Sequence, residues 1–357
     1  MKRWIGGALI LLMIGVLVLR GREADDRFER QIYSMGTLVT LTLRAPDRSP
    51  EALAALVSEV ESELNRYQQR WSVRGSGALA QLNATLEEST TVPVPATLLP
   101  LLRKAKTVAE DSAGTFDPGL GRLVQVWGFD DAEHFRDAPP DRAVLTVAKR
   151  LPHRLTETTL QDGRLQAEKP GLMLDFGAIA KGAAVGAALD VLKQAGIEHA
   201  MVNAGGDLQV IGHAEGRPWR IAVRHPRPPA DAPRLLVGIE LQDGEAVFTS
   251  GDYERYFEFE GRRYHHLLDP RSGEPATGAQ SSTVIHDDPA LADALATALF
   301  VGGVEQFDAL VDQFALEFAM LVDAEGRVHA TAGFMDRADW LADVEFAPDA
   351  DADADAQ

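Results

Sequence analysis

Two small-residue turns, separated by about the length of one helix, constrain this chain more than any other feature. The first is Leu174-Asp175-Phe176-Gly177-Ala178-Ile179-Ala180-Lys181-Gly182, and the second is Asn203-Ala204-Gly205-Gly206-Asp207-Leu208. The first turn runs into a helix with Lys181 near its start, and a short apolar run leads into the second. Glycine lets backbone N–H and C=O groups approach a ligand closely, and a helix start favours an anion. The stretch therefore suits a phosphate-bearing ligand. It equally describes two tight turns flanking a helix.

The 357 residues, 45% hydrophobic and 25% charged, are those of a folded globular chain with one large domain or two small ones. A formal charge of -19 argues against nucleic acid as a partner, since that interface needs a basic face. The chain has no cysteine, which excludes disulfides, thiolate metal sites, a Cys nucleophile and a lipid-modified N-terminal Cys.

The ends differ from the middle. Lys2 and Arg3 precede the apolar run Trp4 to Leu19, and Arg20 and Arg22 follow it. The run is short for a span but sufficient if flanking basic side chains snorkel. Without a small-x-small cleavage site, residues 1–25 read as an uncleaved signal anchor. The expectation is a protein held in the inner membrane, with residues 26–345 as a catalytic domain on the periplasmic side. Residues 346–357, an Asp-Ala repeat, read as a disordered acidic tail.

Between these ends the pattern is α+β. Gln31 to Leu43 reads as a strand broken at Gly36, with Val39, Leu41 and Leu43 on one face. Ser49 and Pro50 open a helix whose stripe is Leu53, Leu56, Val57, Val60, Leu64 and Tyr67. A second helix is expected over Leu98 to Asp111, with Thr97 as N-cap and Leu98, Leu102, Ala105 and Val108 inward. Gly114 to Gly121 is a glycine-rich loop, and Asp130 to Pro152 a charged surface excursion. Short strands at 219–223, 235–241, 246–249, 256–260 and 263–268 suggest an antiparallel meander. Asp288 and Pro289 open a helix that ends before Gly302-Gly303. A helix at Val304 to Phe314 and strands at 318–322 and 327–331 finish the domain.

Asp293 and Thr297, four apart on that helix, share one face. A carboxylate and a hydroxyl suit a hard cation such as magnesium, which takes oxygen ligands and keeps waters. The spacing also fits a polar pair beside a core helix, or a Thr bonding back to its own helix, and that is the commoner case. His265 and His266 are adjacent, so on a strand they point to opposite faces and cannot chelate one metal together. One of them is a candidate base. The stretch Gly177 to Gly182 is no P-loop, no GxGxxG opens a Rossmann unit, and Ser250 lacks a nucleophile-elbow context.

The ordered series of blocks carries more. It comprises Met35-Gly36-Thr37, Thr115-Phe116-Asp117-Pro118, Asp175 to Gly182, Asn203 to Leu208, Thr249-Ser250-Gly251-Asp252-Tyr253, His266-Leu267-Leu268-Asp269-Pro270 and Ala292 to Leu299. Together they resemble the ApbE family, the FAD:protein FMN transferases, over roughly Gln31 to Met335. The resemblance implies an α+β, magnesium-dependent enzyme with mixed or antiparallel sheets and packed helices. Such an enzyme cleaves FAD, joins FMN to a Thr or Ser hydroxyl of an acceptor redox protein carrying a flavinylation motif, and releases AMP. Carried over by motif, Met35, Thr115, Phe116, Asp117, Asp175, Lys181 and His266 line the FAD site. Ala178 (through its carbonyl), Asp293 and Thr297 hold the metal, and His266 or Asp269 accepts the hydroxyl proton. The alternatives are an FAD pyrophosphatase giving FMN and AMP, or an exported flavin-binding protein without turnover. Departures from the family pattern are Gly119 for a small hydroxyl residue, Phe176 for Leu, Ala183 and Gly186 after Lys181-Gly182, and the missing lipid-bearing Cys.

Overall fold

In the computed structural model, residues 27–130, 136–230 and 232–347 are described. The expected signal anchor and residues 348–357 of the expected tail lie outside the described residues. At the other end of the domain, Val328 donates its N–H to Glu345 and Ala347 donates back to Val328, so the chain is still paired there.

The first strand expectation is corrected. β1 (Arg27–Ser34) and β2 (Thr37–Arg44) are the arms of a hairpin, with Ser34 opposite Thr37. Met35 and Gly36 both have positive φ, 55° and 71°, which is the turn that matches strand twist. Gly36 adopts this freely. Met35 does not, and its N–H is held by the Gln68 side chain at 2.7 Å.

α1 (Pro50–Trp71) begins as expected, with the Ser49 side chain accepting from Ala52. α2 (Ala78–Glu88) was not anticipated; it buries Leu79, Leu82 and Leu86. β3 (Thr91–Pro93) precedes α3 (Leu99–Asp111). Thr97 is not its cap: Leu98 holds that position, and the Pro95 carbonyl accepts from both Leu98 and Leu99. The expected inward residues are buried. α4 (Gly121–Trp127) follows the glycine-rich loop, and α5 (Arg142–Ala148) lies inside the expected excursion, burying Leu145 and Ala148. β4 (Thr159–Gln161) and β5 (Arg164–Gln166) join β3 in a small sheet.

α6 (Ala180–Gln194) leads to β6 (His199–Ala204) and β7 (Asp207–Ile211). The expected meander does not form. β8 (Trp219–Arg224) and β9 (Leu235–Leu241) leave the main sheet, and only β10 (Ala246–Gly251) joins it. The reason is burial: Trp219, Val223, Val237 and Ile239 pack over Leu208, Val247 and Ile285 as a second layer. β11 (Tyr256–Phe259) and β12 (Arg262–His265) form a separate hairpin, followed by the short pair β13 (Leu268–Asp269) and β14 (Glu274–Pro275).

β15 (Ala279–His286) precedes α7 (Pro289–Gln313). The Asp288 carboxylate caps α7, accepting from Ala290 and Leu291 at 3.0 and 3.1 Å. α7 is apolar and long enough to cross a membrane, yet it is largely buried as a core helix. The two expected helices are one element with a break at Gly303, where φ is 60°. β16 (Phe318–Asp323), β17 (Val328–Ala330), α8 (Ala332–Arg337) and β18 (Asp339–Trp340) complete the fold.

The main sheet has eight strands in the order β1-β2-β6-β7-β10-β15-β16-β17, with antiparallel neighbours throughout. The large core lies between this sheet and α1, α3, α6 and α7. β8, β9 and β18 cover part of the other face. This is the expected α+β class with antiparallel sheets.

Candidate active site

The site begins where α6 crosses the start of α7. A Cβ on Gly182 would stand 2.0 Å from the Pro289 carbonyl oxygen, and one on Gly186 would stand 2.8 Å from the Pro289 ring. Only residues without side chains permit so close an approach. It brings the Gly182 N–H to the Asp293 carboxylate at 2.9 Å. One turn further along α7, the Thr297 hydroxyl lies 3.1 Å from that of Ser250 on β10. Asp293 and Thr297 are both buried, at 7% and 8% exposure, although they are the polar residues of the helix's apolar part before Gly303.

Lys181 forms an ion pair with Asp207, at the start of β7. The other Asp207 oxygen accepts the Thr249 N–H at 2.8 Å, which ties the second glycine turn to β10. Burial works against the Lys181 ammonium, but Asp207 and Asp293 outweigh it and raise its pKa. Asp293 is pushed up to about 7, chiefly by loss of solvent; Lys181 offsets this in part, and Asp207 adds to it. A buried carboxylate in that condition is short of positive charge.

Asp175 accepts the Gly177 N–H at 2.7 Å, and burial raises its carboxyl against the pull of Arg255. The two histidines separate cleanly. His265 is buried, with Nε2 2.8 Å from the Ala276 carbonyl and Nδ1 accepting from Leu267, so it is fixed in the core. His266 is half-buried, with Nδ1 3.3 Å from the Arg255 carbonyl. A carbonyl only accepts, so Nδ1 carries the proton and Nε2 keeps its lone pair. Desolvation, with Arg255, His265 and Lys181 nearby, pushes the His266 pKa well below 6.5, so the ring is neutral.

The Thr115 to Gly119 loop is built inward. The Thr115 hydroxyl donates to Ser112, and Phe116 is in the core. The Asp117 carboxylate accepts from Gly119, Leu155 and Thr156, so it clamps the loop to residues 155–156. Gly119 is explained here, because a Cβ would lie 2.8 Å from the backbone of His153 and Arg154. Met35 sits at its hairpin turn, packed against the main core. Asp269 forms a two-pronged pair with Arg271 at 2.9 Å, in a different cleft from the one reached through Thr249. Asp252 is buried between Arg227 and Arg263. The structure therefore brings Lys181 and Asp293 together with Thr297 one turn on, sets His266 against the Arg255 carbonyl, and leaves Asp269 engaged elsewhere. Asp207, Thr249 and Ser250, which stand in the sequence blocks without an assigned role, and Arg255 also belong to this network.

Among the described residues, no three His, Asp or Glu side chains converge as a ready metal cage. What converges is one carboxylate and one hydroxyl beside the Ala178 to Gly182 backbone. Hard oxygens in small number fit a magnesium-type ion that keeps waters and shares a substrate phosphate. The charge deficit at Asp293 fits it too.

Fold and site together define a class: an α+β domain with a buried carboxylate, a hydroxyl and a lysine at a glycine-bridged helix crossing. Residues 35–322 match the ApbE family, and the chain belongs to that family. An FAD:protein FMN transferase of Rhodobacter capsulatus is 35% identical over 327 residues, covering 90% of this chain and 60% of its own length. One from Treponema pallidum is 34% identical over 353 residues, covering 94% of this chain and 95% of its own. Among solved structures, the ApbE protein of Thermotoga maritima aligns with a TM-score of 0.76 at 32% identity, covering 87% of this chain and 98% of its own. The flavin transferase ApbE from Vibrio cholerae aligns with a TM-score of 0.76 at 28% identity, covering 87% and 99%.

Proposed function

We propose that this chain transfers FMN from FAD to a Ser or Thr hydroxyl of an acceptor protein, with magnesium required and AMP released. The Asp293 carboxylate, buried against the Gly182 N–H beside Lys181, carries the reading. Asp293, Thr297 and the Ala178 carbonyl would hold the ion. Bound there, magnesium supplies charge neutralisation at the pyrophosphate.

The protein's own groups do the rest. Lys181 exchanges Asp207 for a phosphate oxygen, and the start of α6 favours the same anion. Met35, Asp175 and the Thr115 to Asp117 loop shape the flavin pocket. His266 takes the acceptor's proton at Nε2 as the hydroxyl oxygen bonds to the FMN phosphorus. The phosphorus–oxygen bond to AMP breaks, and the electron pair leaves with AMP. Asp269, paired with Arg271, is not needed as base.

The proposal extends to place. The apolar segment Trp4 to Leu19 between basic flanks supports an anchor in the inner membrane, a periplasmic domain and an exported redox protein as acceptor.

Incubating the full chain with FAD, magnesium and an acceptor protein tests the reaction. Transfer gives a flavin-fluorescent acceptor band on a denaturing gel and one AMP per band. AMP and FMN without a labelled band would replace transfer by FAD hydrolysis.

A further inference from the structure

The main sheet is covered unevenly. On the face opposite α1, α6 and α7, the layer of β8, β9 and β18 seals Leu208, Val247, Ile285 and Met320. Among the described residues, the same face of β1 and β2 carries no such layer at their turn end, although Thr42, further along β2, is buried. There Tyr33 stands opposite Leu38, 73% and 45% exposed. Further along that face, Thr40 stands opposite Asn203 and Thr42 opposite Met201 on β6. The step up to the covering layer is a cleft of about 320 Å³, with Met201 and Asn203 on one side and Arg220 and Arg224 on the other. The cleft also takes in Gly205, Gly206 and Thr249. Thr249 donates its N–H to Asp207, which pairs with Lys181, so two contacts separate the cleft, and the shelf it borders, from the candidate active site.

Charge narrows the occupant. Arg220 is paired with Asp339, but the side chain of Arg224 is 67% exposed: it stands over the Tyr253 ring at 5.7 Å and reaches the carboxylate paired with it, Glu254, only at 4.0 Å. In a chain of net charge -19, so lightly compensated an arginine favours an acidic partner group. The exposed Tyr33–Leu38 pair outside the cleft favours an apolar one.

We propose that this shelf receives the acceptor protein: a Ser- or Thr-bearing extended segment lies along the step, an acidic side chain meets Arg224, and an apolar one rests on Tyr33 and Leu38. This rests on the flavin-transfer reading and assigns that reaction's second substrate a surface.

The test uses the full chain, magnesium, FAD and two short synthetic peptides. Each has a single threonine; one carries Asp and Leu beside it, the other Lys and Leu. Arg224→Glu and the double variant Tyr33→Ser/Leu38→Ser are compared with wild type for peptide KM, FAD affinity, AMP release without peptide, and sedimentation. Each variant is expected to raise the acidic peptide's KM about tenfold while FAD affinity and peptide-free AMP release stay unchanged. Arg224→Glu is expected to prefer the Lys peptide. Unchanged peptide KM values overturn the shelf and leave transfer standing. A wild-type dimer that the double variant dissociates overturns it also, by assigning the face to a second copy. Wild-type protein that binds FAD but labels neither peptide overturns the transfer reading itself, and the shelf with it.

Discussion

Gly182 donates its backbone N–H to the Asp293 carboxylate at 2.9 Å, across a helix contact that leaves no room for a side chain at position 182. Packing and chemistry meet in that bond. The glycine lets α6 close on α7, and the closure sets Lys181 beside a buried acid.

Gly182→Ala should therefore damage fold and site together. Its methyl would lie 2.0 Å from the Pro289 carbonyl, a backbone atom that cannot swing aside. Overpacking of this kind costs about 1–3 kcal/mol. Thermal melting should show the loss, and magnesium affinity should fall more than in Gly238→Ala, whose added carbon meets nothing nearer than 3.4 Å.

Asp293 should make cation binding depend on pH. Its carboxyl titrates at about 7, so below that a proton competes with the ion, and affinity should fall about tenfold per pH unit. Isothermal titration with magnesium across pH 5.5 to 8 measures this. Without metal the sign for stability is the reverse of the usual acid. A raised folded pKa stabilises below the ordinary value of 3.8, and the effect is lost as pH rises through about 7. Asp293→Asn should remove both dependences.

Asp288 should act in the other direction. Burial opposes its charge, but Lys104 and the α7 N–H groups outweigh burial and hold it below 3.8. Its stabilisation is thus present above 3.8 and lost as pH falls through the lower folded value. Asp288→Ala should cost about 1 kcal/mol at neutral pH by losing the cap. Asp288→Asn should keep most of the cap and lose the acid dependence, as urea melts at pH 3 and pH 7 would show.

His266→Gln should lower kcat for transfer by about a hundredfold or more, with FAD affinity little changed. Because the neutral ring is favoured far below 6.5, the acid limb of kcat/KM in the wild type should lie under that value. With magnesium kept saturating at every pH, so that Asp293 protonation does not set the limb, a limb centred at or above 6.5 would remove His266 as the base.

The helices of this fold were legible where apolar spacing and caps agreed. Ser49-Pro50 and Asp288-Pro289 mark real starts, and the i, i+4 spacing of Asp293 and Thr297 does put both at the crossing. The Met35 turn was hidden because one of its two left-handed residues is not glycine, and its support comes from Gln68 on a distant helix. Strand spacing could not separate two stacked layers from one meander, since both bury alternate residues. Adjacent histidines predicted that one would face away, but only the Ala276 and Arg255 carbonyls assign which. Asp207 pairs with Lys181 across a whole helix and strand, a contact that no local spacing announces.

The most direct test of the account is FAD turnover with an acceptor protein present, in wild type and Asp293→Ala, each with magnesium and with chelator. The account predicts wild-type AMP release that stops with chelator and returns with magnesium, and a loss on the order of a thousandfold in the variant. Magnesium-dependent turnover undiminished in Asp293→Ala would contradict it.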